Sequence, residues 1–134
     1  MTAATATASK PLTTVTPNYD FGRALGPLQS RLVEVEKLPW APTGHEGIDI
    51  KILMKDDTTG LMTALFRWQP GSVLSDHEHV EIEQSFILEG SLVDEDGEVT
   101  AGNFVWRPAG SRHVAKAPKG ALILGFFLKP NKFY

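Results

Sequence analysis

Three of the four histidines in this chain fall into one spaced pattern. His77 and His79 flank a single residue, Glu83 follows, and Gly71 and Gly90 bracket the group. A second phrase, made of Gly102, Pro108, Gly110 and His113, adds a third imidazole. In a β-strand, residues two apart point to the same face and lie ~6.5–7 Å apart along the chain, so His77 and His79 can converge on one ion. Glu83 has the same parity. So does Glu81, and periodicity alone does not choose between the two. His113, arriving from another strand, would complete a set of three imidazoles and one carboxylate. Such donors suit a borderline or harder divalent metal, and two His plus a carboxylate with open positions is the pattern of non-haem Fe(II) sites. His45, in Gly44-His45-Glu46-Gly47, has no comparable neighbours and reads as an ordinary loop residue.

The elements that must position these residues read as strands. Arg31 to Leu38 alternates and is ended by Pro39, Ile48 to Ile52 alternates strictly, and Leu61 to Trp68 returns after a turn at Asp56 to Gly60. Further strands are predicted over 84–89, 91–93, 98–100, 103–107, 112–116 and 121–128. Asp94 to Gly97 forms a hairpin loop between them. Its Asp94-Glu95-Asp96 run reads as a solvated tip, since it lacks the oxygen-ligand spacing and terminal glutamate of an EF-hand. No sustained helical period with caps is present. Many short strands with Gly and Pro in the turns argue for an all-β sandwich or barrel.

Residues 1–20 read as a flexible N-terminal arm, rich in Ala and Thr, and residues 21–134 as a single domain. The arm lacks the basic start and apolar run of a secretory signal, and no stretch reaches the ~20 apolar residues of a membrane helix. With 13 Lys+Arg against 16 Asp+Glu, unclustered, the chain has no electrostatic footprint for nucleic acid or an anionic membrane. A small-molecule substrate is the expected partner. The absence of cysteine excludes disulfides and a thiolate zinc site, and the reducing cytoplasm is the default location.

The two phrases resemble the two motifs of the cupin superfamily. The first matches at every named position, and the second departs only at its end, where Ala117 stands in place of the usual Asn. The stretches Gly47 to Lys55, Phe86 to Gly90, Asp94 to Gly97 and Pro108 to His113 are similar to one cupin branch. That branch includes acetylacetone-cleaving dioxygenase-like proteins and the zinc-binding cupin domain of certain bacterial anti-sigma factors. The resemblance, over about residues 30 to 134, implies a cupin double-stranded β-helix, a jelly-roll barrel with the metal inside. It implies His77, His79, Glu83 and His113 as ligands of one divalent metal per chain, Fe(II) being favoured over Zn, Mn or Ni. Glu81 would then lie behind the ligands or face solvent.

With Glu83 pointing inward, Ser85 and Ile87 do so too, while Phe86 and Leu88 face outward and need a cover. With cupin precedent, that apolar outer face leads us to expect a homodimer. Arg67, Gln69 and Arg107 are polar candidates for the pocket or the layer behind the ligands. An Arg inside a barrel needs an acidic partner, for which Glu83, Glu81 or a substrate carboxylate would serve. Met62, Phe66, Trp68, Phe104 and Trp106 are candidates for pocket wall or core. The reading that follows is a dioxygenase cleaving a C–C bond of a small 1,3-dicarbonyl. The acetylacetone cleavers hold iron with three His, so Glu83 is a departure from them. The alternatives are a non-catalytic zinc-binding sensor or small-molecule module, and a redox-neutral isomerase or decarboxylase.

Overall fold

A computed structural model describes residues 12–134. Among the described residues eleven strands follow one another: β1 (Thr14–Val15), β2 (Ala41–Pro42), β3 (Ile48–Asp56), β4 (Leu61–Trp68), β5 (Ser72–Glu78), β6 (Glu83–Asp94), β7 (Gly97–Thr100), β8 (Phe104–Arg107), β9 (Arg112–Ala117), β10 (Ala121–Phe127) and β11 (Lys132–Phe133). All pair antiparallel, in the path β1-β3-β4-β10-β6-β9-β5-β11, with β2 on β3 and β7 and β8 on β6. The all-β class expected from the turn spacing is the class observed.

The sheet curls because β6 belongs to both of its halves. The first part of β6 lies between β8 and β10, whereas Ser91 to Asp94 pair with β7 and Val93 meets Lys116 of β9. Residues 84–89 and 91–93, expected as two strands, are therefore one strand passing from one half to the other. Gly90 sits at the crossing. Its φ is +71°, and a Cβ there would run into the Gly120 carbonyl just before β10, so a side chain would push β6 away from β10. Between the halves lies a core of Ile48, Trp68, Ile87, Leu92, Ala115 and Ile123.

Arg31 to Leu38 does not form the strand that its alternation predicts. Instead Val35–Lys37 make one 3-10 turn. β1 and β2 take the two ends of the β3 edge, at Lys55–Asp56 and Asp49–Ile50, and the stretch left between them is too short for an eight-residue partner. It is held instead by the Lys51 ammonium, which donates to the Val35 carbonyl at 3.0 Å, and by burial of Leu38. Of the segment expected as a flexible arm, residues 1–11 lie outside the described residues. Thr14–Val15 pair with Lys55 and Asp56. Among the described residues, no helix is long and apolar enough to cross a membrane.

Candidate metal centre

β5 and β9 run side by side, and their register sets His77 directly opposite His113. His79 follows the end of β5 and Glu83 opens β6. The turn before β9 locks His79 in place: the Gly110 amide donates to the His79 carbonyl at 2.7 Å and the His79 amide to the Ser111 carbonyl at 2.8 Å. Gly110 reaches this position with φ +88°, a conformation costly for other residues, which explains the Pro-x-Gly before His113. The three imidazoles are buried, and their ligand atoms lie within 4.8 Å of one another.

The hydrogen bonds at the back of each ring decide which nitrogen faces inward. His77 Nδ1 lies 2.8 Å from the Ser75 carbonyl. His79 Nδ1 lies 3.0 Å from the Ser111 carbonyl and 2.9 Å from Ser111 Oγ, whose own proton goes to the Pro108 carbonyl. His113 Nδ1 lies 2.7 Å from Asp94 Oδ2. Carbonyls and carboxylates only accept, so each Nδ1 carries the proton and each Nε2 is left with a bare lone pair. Burial lowers the pKa of His77 and of His113, favouring neutral rings. Burial alone would raise the pKa of Glu83, and the nearby Arg107 charge opposes it in favour of the carboxylate.

These lone pairs converge. His77 Nε2 and His113 Nε2 are 3.1 Å apart, and His79 Nε2 and Glu83 Oε2 are 2.9 Å apart. Despite that distance, His79 Nε2 and Glu83 Oε2 are buried without a hydrogen-bond partner among the described residues. Acceptors held this close repel unless a cation lies between them. The three-His group can therefore hold a metal ion, and the buried, unpartnered acceptors fit one of its coordination positions.

The cluster opens onto a cavity of about 390 Å³ with apolar walls that include Ile48, Met62, Phe66, Trp68, Ile123 and Phe127. A second recess of about 250 Å³ reaches His79 and His113 from the β7–β8 side. Ser85 lines the main cavity and donates to Glu83 Oε1 at 3.2 Å, while Ile87 is fully buried in the core. Arg107 also lines it, but its acidic partner at 2.9 Å is Asp94, and neither Glu83 nor Glu81. Glu81 and Gln69 are exposed. Arg67 is on the opposite face of β4 from Phe66 and Trp68, paired with Asp49 at 3.2 Å and lying over the Trp40 ring. Phe104 and Trp106 are on the outer face, roughly half exposed.

Two residues that sequence reasoning set aside belong at this site. Asp94 is not a solvated tip: its side chain is 5% exposed and bridges His113 and Arg107. Within an acidic run it carried no signal in the sequence, because only the β6–β9 contact brings it behind His113. His45 lines the cavity and stacks on Phe133 with centroids 4.5 Å apart.

Among solved structures, this chain is similar to a proposed acetylacetone dioxygenase from Methylibium petroleiphilum, at 23% identity over 84% of this chain and 85% of that one, TM-score 0.73. It is also similar to an acetylacetone dioxygenase from Acinetobacter johnsonii, at 19% identity over 87% and 83%, TM-score 0.66. The anti-sigma ChrR of Rhodobacter sphaeroides, in complex with SigE, matches at 22% identity over 69% of this chain and 51% of that one, TM-score 0.60. Such low identities carry the fold and nothing finer. No curated protein matches the chain. Residues 28–130 match the family model of the ChrR cupin-like domain, and with the curled antiparallel barrel and its inward imidazoles, this chain belongs to that cupin family.

Proposed function

We propose that the protein is a non-haem Fe(II) dioxygenase that cleaves a C–C bond of a small 1,3-dicarbonyl substrate. What supports this reading is the convergence of four acceptors, on His77, His79, His113 and Glu83, beside an apolar cavity of substrate size. These residues would hold one ion per chain through three Nε2 atoms and Glu83 Oε2. Bound Fe(II) would supply Lewis acidity toward the enolate and redox chemistry toward dioxygen. The chain itself does the orienting. Ser75, Ser111 and Asp94 hold each ring in the tautomer that presents Nε2, and Phe66, Trp68 and Phe127 keep water from the reacting face.

The reaction balances without an added reductant. One C–C bond next to a carbonyl breaks, each side takes one atom of dioxygen, and the products are a carboxylic acid and a 2-oxoaldehyde. Oxygen consumption by the Fe(II)-loaded protein on adding 1,3-diketones is the test. Uptake no greater than that of a His77→Ala control would end the dioxygenase reading.

A zinc-binding sensing module is the second reading, favoured by a donor set that could close a tetrahedral shell unaided. Elemental analysis of protein purified without added metal separates the two, about one iron per chain favouring the first and one tightly held zinc the second. The same reading includes a homodimer. Phe86 and Phe104 are cross-strand partners on the outer face and, with Trp106 and Leu88, remain substantially exposed, which suits a second copy. A one-chain mass in sedimentation equilibrium at working concentration would remove the dimer.

A further inference from the structure

The polar side chains of the main cavity fall into two groups. One surrounds the imidazole cluster: Glu83, Ser85 and Arg107, all engaged with one another's neighbours. The other lies where the β2–β3 loop meets the segment before β11, and consists of Thr43, His45 and Asn131. Thr43 is spoken for, because its hydroxyl donates to the Ile48 carbonyl at 2.7 Å and accepts the His45 amide at 3.0 Å. These bonds fix the loop. The His45 ring and the Asn131 amide are different: among the described residues, neither makes a hydrogen bond, and both are half-buried on the cavity wall.

Phe133 gives this second group its position. Its ring stacks on His45 at 4.5 Å and leans on His77 at 5.4 Å, so it bridges the two groups. β11 pairs Phe133 with His77, and the Tyr134 hydroxyl donates to Glu78 at 2.5 Å, which holds the bridge against β5. His45 is thereby oriented by an aromatic face on one side and by its own loop on the other. The His45 ring and the Asn131 amide are thus free to hydrogen-bond a molecule that enters the cavity.

Resting on the 1,3-dicarbonyl reading above, we propose that His45 and Asn131 form a recognition end for the substrate. They hydrogen-bond an uncharged hydroxyl or carbonyl oxygen on the part of the molecule remote from its chelating head. The substrate class is then a 1,3-dicarbonyl bearing an apolar, ring-sized substituent that ends in such an oxygen. The apolar walls take the substituent, and Phe133 provides a flat surface beside it. His45 is a specificity residue here, with no part in the bond-breaking step.

The test is calorimetric binding to the zinc-loaded protein, where no turnover interferes. The probes are 1-phenylbutane-1,3-dione and its 3- and 4-hydroxyphenyl analogues. One hydroxyl analogue is expected to bind the wild-type protein ~5- to 10-fold more tightly than the phenyl parent, the size of one hydrogen bond gained in a dry site. His45→Phe, which keeps a ring over Phe133, should abolish that preference while the parent stays within ~2-fold and zinc content is unchanged. His45→Gln, which keeps a hydrogen-bonding group, should restore part of it, and Asn131→Leu should reduce it. Equal affinities of all three probes for the wild type, or a preference that survives His45→Phe, would overturn the proposal and leave the dicarbonyl reading standing. Failure of even the phenyl parent to bind would overturn that reading and the proposal with it.

Discussion

Two buried polar clusters in this molecule handle their acceptors in opposite ways. At one end of β3, the Asp56 carboxylate is saturated: Thr13 and Thr14 hydroxyls donate to Oδ2 at 2.7 and 3.2 Å, and the Thr58 hydroxyl and amide donate to Oδ1 at 2.6 and 2.9 Å. At the imidazole centre, buried acceptors face one another with no donor between them. A saturated network closes a turn and ties β1 to β3, and its work ends there. An unsaturated one is stable only when a cation completes it. Burial of polar groups is therefore no mark of a functional site by itself, and the direction in which the lone pairs point is.

The largest expected effect comes from removing one inward nitrogen. His77→Ala should lower affinity for Zn(II) or Co(II) by more than ~100-fold, beyond the loss usual for groups behind a ligand, when measured by competition with a chromophoric chelator. Metal binding within a few-fold of wild type would place the centre elsewhere. Glu83→Gln keeps the shape and removes the charge, and a drop of ~10- to 100-fold is expected, while Glu81→Gln should change nothing because Glu81 is exposed. Equal losses in the two variants would break the assignment of Glu83 Oε2 as a donor.

Asp94→Asn sharpens the contrast further, since Asp94 is saturated like Asp56 but serves the unsaturated centre. Its amide oxygen can still accept from His113 Nδ1, so the loss of metal affinity should fall near ~10-fold, and an unchanged affinity would make Asp94 purely structural. The smallest effect is expected at Asp56. Its hydroxyl and amide donors, Thr58 foremost, lower its pKa from 3.8 to about 2, so the stability it contributes is fully present above 3.8 and is lost as pH falls through about 2. Asp56→Asn should remove that acid dependence, lower Tm by a few degrees, and speed amide exchange at Thr14 and Val15. Metal affinity should stay as in wild type, and a parallel loss of metal would show that the two clusters are coupled.

Much of the centre was legible in the amino-acid order because strand parity acts locally. His77 and His79, two apart, land on one face, and Glu83, Ser85 and Ile87 of β6 are turned inward or buried together while Phe86 and Leu88 stay exposed. Arg31 to Leu38 shows the limit of the same signal. Alternation states a preference for a ladder, and β1 and β2, at the two ends of the β3 edge, leave too short a stretch between them for it. Asp94 was misread for a different reason, and the cavity-side setting of His45 was not legible for the same one. Their surroundings depend on partners far along the chain, His113 and Phe133, and an acidic run or a Gly-flanked loop has the same appearance whether or not such a partner arrives.

The order of residues by itself determined the strand class, the spacing of the imidazoles and the exclusion of thiolate chemistry, because these follow from composition and from a two-residue period. Only the tertiary structure decided which nitrogen of each ring faces inward, which acid supports His113, and that His45 and Asn131 share a wall with the centre. Each of those depends on where β6 crosses between the halves of the sheet and on how β5, β9 and β11 pair, and long-range pairing is set by the packing of the whole core.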